Sequence, residues 1–256
     1  TMAVFSIRED LDLISSGKKD KGLDWLCSLI LKNYANHSAK INFVQSLRSS
    51  DDFVYKHSIN VALLAAIIAG KMKLPLGRIN SIVKAGLLHE CGGVKVKQSI
   101  NSENDQDPSE LVRVNTREIL KSHADMEENV VLMVEHMQAL CSDSASKEAK
   151  EAARANQGAT ILYVSDAYDR LTAMKSYEEP TSEVKALRIL IEESDKYDPE
   201  VVQALTKGIN VLYPGVFVEL TGHVKGLVII ENESDIFKPW VLSFQDNKLY
   251  DLSNEK

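Results

Sequence analysis

Cysteine is scarce in this 256-residue chain: three residues, Cys27, Cys91 and Cys141, odd in number and widely spaced. They form no zinc-ligand spacing and suit a reducing cytoplasm. Aromatic residues are few at 6%, which favours packed helices over an all-β sandwich. No block of basic residues stands out. The densest cluster, Lys18-Lys19-Asp20-Lys21, is short, and the formal charge is −7. Binding of a nucleic-acid polymer or an anionic membrane through bulk charge is therefore excluded. The longest apolar run, Val61 to Gly70, is too short to span a bilayer. No signal peptide is visible in this sequence, which opens Thr1-Met2, and no long repeat or low-complexity tract is read. What is present is ordinary globular composition, 44% hydrophobic and 26% charged, in a chain long enough for one large domain or a domain with a small appendage. An acidic protein of this kind can still bind a phosphate ester if metal ions supply positive charge locally.

Apolar periodicity predicts a mainly α protein. Ile7 to Asn36 reads as two helices split at Ser15-Ser16-Gly17, followed by a short segment over Lys40 to Leu47 and a helix start at Ser49 to Asp52. From Phe53 to Lys71 a strongly apolar helix places His57, Val61, Leu64 and Ile68 on one stripe, so that His57 points with the core. A helix from Leu76 to Glu90 carries Ile82, Gly86 and His89 on one stripe and ends at Gly92-Gly93. Ser99 to Pro108 reads as a loop and Ser109 to His123 as a helix. Asp125 to Glu128 reads as a capping-box start for a helix through Leu140. After a break at Ser142 to Ser146, Lys147 to Lys175 reads as helical, and Glu183 to Glu193 and Pro199 to Ile209 as the last helices. Short β-prone runs then follow at 216–220, 227–230, 239–244 and 248–252, with turn residues between them, predicting a small antiparallel meander.

Four of the six histidines, His57, His89, His123 and His136, fall at helix positions facing or ending beside apolar stripes. His37 and His223 lie in polar segments and read as surface residues. Taken singly, a histidine on such a stripe is more often a hydrogen-bonded core residue than a ligand. The carboxylates change that reading. Glu90 follows His89 directly, and Asp166 sits on an apolar helix. A core-facing carboxylate needs a partner, and neutral imidazoles cannot neutralise it. A divalent metal can, and mixed His/carboxylate sets suit iron, manganese, zinc or nickel.

Several strings together resemble the HD-GYP family of the HD superfamily. The run Asp51 to Ala62 is similar to an aspartate–tyrosine segment leading into HS-x-x-VA. Ala85-Gly86-Leu87-Leu88-His89-Glu90-Cys91-Gly92-Gly93 resembles AGLLHDIGK, Ile119 to His123 resembles I-x-K-x-H, and Ile161 to Thr172 resembles IL-x-VAD-x-YDALT. The tail from Tyr213 to Leu220 is similar to a β appendage that often follows such domains. The likeness runs in order over about residues 50 to 256. It implies an HD-domain helical bundle over 51–212, with leading helices over 1–50 (of the same body or of an upstream domain) and a β appendage over 213–256. It also implies a cytoplasmic metal-dependent phosphodiesterase acting on cyclic di-GMP or a related cyclic dinucleotide. Two divalent ions are implied, iron or manganese first, held by His57, His89, Glu90, His123, His136 and Asp166, with His89, Glu90 and Asp166 at the chemistry. A homodimer or an upstream sensor domain remains open as a partner.

The sequence also departs from that pattern. Glu90 stands where the family has a bridging aspartate, and Gly93 where it has a lysine. Glu135-His136 replaces a double histidine, and residues 137–146 hold neither the glycine nor the proline of a Gly-Tyr-Pro loop. Thr172 to Tyr177 keeps a basic residue, but not the arginine, of TS-x-RPYR. His136 is placed by its distance from Asp166, 166 − 136 = 30 positions. Ligand types are retained better than the groups that would contact a nucleotide. Two functions therefore stand side by side: an atypical phosphohydrolase, and a catalytically silent module that binds metal, nucleotide or a protein partner.

Overall fold

A computed structural model describes residues 2–43, 45–49, 52–99, 108–174, 179–232 and 234–254. At its centre is α3 (Phe53–Lys71), the longest described helix, packed most extensively against α4 (Leu76–Leu88) and α9 (Gln157–Thr172). Val61, Leu64 and Ile68 are wholly buried, each worth roughly 1.5–3 kcal/mol relative to exposure. His57 lies on the same stripe, also fully buried. By length and composition alone α3 is apolar enough to cross a bilayer, yet 67% of its apolar window is buried inside the body. The α3–α4 crossing is close because Gly86 has no side chain: a Cβ there would lie 3.0 Å from Ala62 Cα. That approach brings the end of α4, and with it His89, toward His57.

The other helices pack around this centre. α1 (Met2–Ser15) and α2 (Leu23–Ile30), the latter running into a π-helical turn at Leu31–Ala35, contribute Ile7, Leu11, Leu26 and Ile30 to the core. α5 (Gly93–Ser99), α6 (Pro108–Ser122), α7 (Glu128–Cys141) and α8 (Lys147–Arg154) follow α4, and α10 (Glu183–Glu192) and α11 (Pro199–Gly208) follow α9. In α11 Asp198 caps the amides of Glu200 and Val201, and Pro199 fills the first turn, where no amide is needed. The chain closes in a four-stranded antiparallel meander, β1 (Phe217–Leu220), β2 (Val224–Ile230), β3 (Trp240–Ser243) and β4 (Leu249–Asp251), in the order β1-β2-β3-β4. The mainly α body with a small C-terminal meander is the fold class expected.

Local differences have identifiable causes. Lys147 to Lys175 is not one helix: Asn156 turns the chain and its side chain caps the amides of Gly158 and Ala159. Gly92-Gly93 does not end a helix that reaches Glu90. α4 stops at Leu88, a turn carries His89 and Glu90, and Gly93 opens α5. Gly92 is required by packing, because a Cβ would meet Thr116 N at 2.4 Å and Val112 O at 2.5 Å. No capping box forms before α7, whose N-cap is Glu127 without a side-chain bond. The short segment over Lys40 to Leu47 has no helix in its described residues, and its Ile41 bridges Ile209. Ser99 and Pro108, expected in a loop, instead end α5 and open α6; residues 100–107 between them, residues 50 and 51 of the expected helix start, and residues 175–178 lie outside the described residues.

Candidate metal centre

Three elements deliver four ligand-type side chains to one point. α3 supplies His57, the turn after α4 supplies His89 and Glu90, and α9 supplies Asp166. One nitrogen or oxygen of each lies within 4.8 Å of all the others. His57 Nε2 is 2.9 Å from Asp166 Oδ1, 3.2 Å from His89 Nε2 and 3.8 Å from Glu90 Oε2. His57, His89 and Asp166 are almost entirely buried, and Glu90 retains a small exposed portion.

The ring tautomers follow from partners that can only accept. His89 Nδ1 donates to the carbonyl of Gly86 at 2.7 Å. His57 Nδ1 donates to Asp169 Oδ2 at 2.7 Å. In the neutral rings both Nε2 atoms are therefore bare lone pairs, facing each other and two carboxylates. Such an arrangement suits a further cation beside the Arg170 guanidinium that already bonds both carboxylates: a divalent ion or, in its absence, a proton on His57. Burial and the nearby Arg170 charge oppose protonation of His57, but its bonds to Asp166 and Asp169 outweigh them and raise its pKa. The donor set thus fits a divalent metal, with two nitrogens and two carboxylates and with both imidazoles oriented from behind.

Asp169 is the keystone of that orientation. It is fully buried and accepts from Arg48 Nη1 at 2.6 Å, Arg48 Nη2 at 2.7 Å, Gln45 Nε2 at 3.0 Å and Asn60 Nδ2 at 2.9 Å. Burial works against its charge, yet the bonds from Arg48 and His57 hold its carboxyl well below the usual range. Sequence reasoning assigned no role to Asp169, Arg48, Gln45 or Asn60. The available signal was the spacing Asp166–Asp169 on one apolar helix and His57–Asn60 on another, three residues apart in each case.

Arg170 was likewise missed. Its Nε donates to Asp166 Oδ1 at 2.9 Å and Oδ2 at 3.0 Å, and its terminal nitrogen bonds Glu90 Oε1. Its side chain is 41% exposed and lines a cleft of about 1040 Å³ that His89, Glu90 and Asp166 also line. Burial penalises the charged forms of Glu90 and Asp166, but Arg170 is the foremost of the charges that keep both carboxyls ionised below their ordinary values. Arg113 and Lys196 also line the cleft, as does Gln138, whose buried amide oxygen and nitrogen have no protein partner.

The remaining expected ligands lie outside this group. His123, just past α6, points its Nε2 at the carbonyl of Lys18 at 3.2 Å. His136, on α7, is half-buried and its Nδ1 meets the Asn156 amide at 3.1 Å. His37 and His223 are exposed, as expected. The three cysteines are free, and burial pushes the Cys27 and Cys91 thiols up to about 12.

Residues 54–171 match the HD domain family. The cyclic di-GMP phosphodiesterase PA4108 of Pseudomonas aeruginosa is 26% identical over 204 residues, covering 77% of this chain and 49% of that protein. The chain thus spans about half the length of that curated relative. No solved structure matches it significantly. The two matches support placing the chain in the HD superfamily.

Proposed function

We propose that this protein is a metal-dependent phosphohydrolase of the HD-GYP type that cleaves phosphodiesters, with cyclic di-GMP the first substrate to test. The observation that carries this reading is the convergence of two bare imidazole lone pairs and two carboxylates, three of the four residues (His89, Glu90 and Asp166) lining a cleft shared with Arg113, Arg170 and Lys196. His57, His89, Glu90 and Asp166 would hold the ion. A divalent ion bound there would act as a Lewis acid toward a phosphoryl oxygen and make water a stronger nucleophile.

The chain's own residues would do the rest. Asp169 and the Gly86 carbonyl keep both rings aimed inward, so no reorientation is needed when an ion enters. The exposed part of Arg170 faces the cleft, where a planar guanidinium suits a phosphate anion. The 26% identity to a cyclic di-GMP phosphodiesterase supports the substrate class.

One observation favours a second reading, that of a silent regulatory module: Arg170 already neutralises Glu90 and Asp166. Metal analysis of chelator-free protein, followed by turnover assays on cyclic di-GMP and bis(p-nitrophenyl) phosphate with Mn²⁺ or Fe²⁺, separates the two. Turnover that requires the ion and disappears in Asp166→Ala is expected. Bound metal with no turnover of either compound favours the module, and absence of metal rejects both the enzyme and its metal centre.

A further inference from the structure

We infer that Arg170 is a built-in cation that takes the place of one divalent ion, so that the centre carries one ion fewer than its carboxylates alone would hold. The inference rests on the metal-binding reading above and concerns how many ions the site accepts.

Each carboxylate divides its two oxygens. Asp166 Oδ1 and Glu90 Oε2 face the His57 ring nitrogen, at 2.9 and 3.8 Å. Asp166 Oδ2 and Glu90 Oε1 are instead engaged by the guanidinium of Arg170, which also shares Asp166 Oδ1. Those two oxygens are the ones left over for a further ion once the first is in place. A guanidinium cannot lose its proton at ordinary pH, so the positive charge at this position is permanent. Among the described residues, no other group of three His, Cys, Asp or Glu side chains converges closely enough to hold an ion.

Charge counting gives the same answer. Glu90, Asp166 and Asp169 contribute three negative charges, and Arg48 and Arg170 two positive ones. With neutral imidazoles the buried centre is at −1. One divalent ion brings it to +1, and a monoanionic phosphodiester then neutralises it. A second divalent ion would leave the centre at +3, with His57, His89, Asp166, Asp169 and Arg48 almost fully buried and only Glu90 and Arg170 partly open to the cleft. The same guanidinium that completes the charge is exposed toward the cleft, where the anion would arrive.

The test is binding stoichiometry rather than turnover. Mn²⁺ bound per chain is measured by equilibrium dialysis with elemental analysis, and by electron paramagnetic resonance, for wild type, Arg170→Ala and Arg170→Lys. Arg170→Lys, which keeps the charge and confirms that the site tolerates replacement, should match wild type. Arg170→Ala should bind one more Mn²⁺ per chain than wild type, with a spin-coupled signal if two ions are present. Equal, non-zero stoichiometry in wild type and Arg170→Ala overturns the inference while leaving the metal centre standing. No Mn²⁺ in either protein overturns both. No ion in wild type and one in Arg170→Ala upholds the role of Arg170 and rejects the hydrolase reading of the native chain.

Discussion

Replacing Asp169 with asparagine removes a charge and almost no volume from a position without solvent exposure. Each hydrogen bond reaching its carboxylate comes from a donor, on Arg48, Gln45, Asn60 or His57. The new amide nitrogen would therefore face a donor on whichever side it turned. Arg48, equally buried, would lose its counter-charge. Breaking a buried pair on one side costs about 3–5 kcal/mol, because the surviving ion stays buried and unpaired. For a chain of this size, where 1 kcal/mol shifts the melting temperature by roughly 2–4 °C, the melting point should drop by roughly 6–20 °C. Urea and thermal unfolding followed by circular dichroism measure this directly. A companion variant, Arg48→Met with Asp169→Leu, removes both charges and should be more stable than Asp169→Asn. It should still bind Mn²⁺ about 10–100-fold more weakly than wild type, since His57 Nδ1 has lost the acceptor that fixes its ring. The reasoning is refuted if Asp169→Asn unfolds within about 0.5 kcal/mol of wild type, the range typical of surface changes. It is equally refuted if the paired variant binds metal as wild type does.

Further outcomes can be checked with the same preparations. His89→Ala should abolish Mn²⁺ retention while His136→Ala leaves it unchanged, because only the former lies in the converging group; loss of metal in His136→Ala would restore that residue as a ligand. Stability should also depend on acid in a defined direction. Asp169, Asp166 and Glu90 all have folded-state values below their ordinary 3.8 and 4.5, so the stability they add is present above those values and disappears as pH falls through the depressed ones. The urea midpoint of wild type should thus fall steeply below about pH 4, with a shallower slope in Asp169→Asn; parallel slopes would count against the buried network as the acid-sensitive element.

Much of this could be read from residue order, and the exceptions are instructive. α3, α4 and the meander were legible because their apolar periods are clean and bounded by turn residues. The break at Asn156 was not, since residues on both sides favour helix and only the cap formed with Gly158 and Ala159 reveals it. His57, His89, Glu90 and Asp166 were legible as chemistry out of place on apolar stripes. Arg48 was invisible for the opposite reason. It comes from an extended segment without periodicity and meets Asp169 across 121 positions of chain, a pairing that only the tertiary fold creates. Arg170 lay in plain view four residues after Asp166, yet nothing local shows that it also reaches Glu90.

The origin of Arg48 and Gln45 has a practical consequence for anyone trimming the chain to its histidine-bearing helices. A fragment opening at α3 would retain His57, His89, Glu90 and Asp166. It would nonetheless lose the guanidinium and the amide that steady Asp169, together with Ile7, Leu11 and Leu26 from the core. Its His57 would hang from a carboxylate stripped of its counter-charge and steadied only by Asn60. The smallest unit able to present these ligands in order therefore reaches back across the segment preceding α3, and a shorter piece that failed to bind metal would report on its missing scaffold rather than on the ligands themselves.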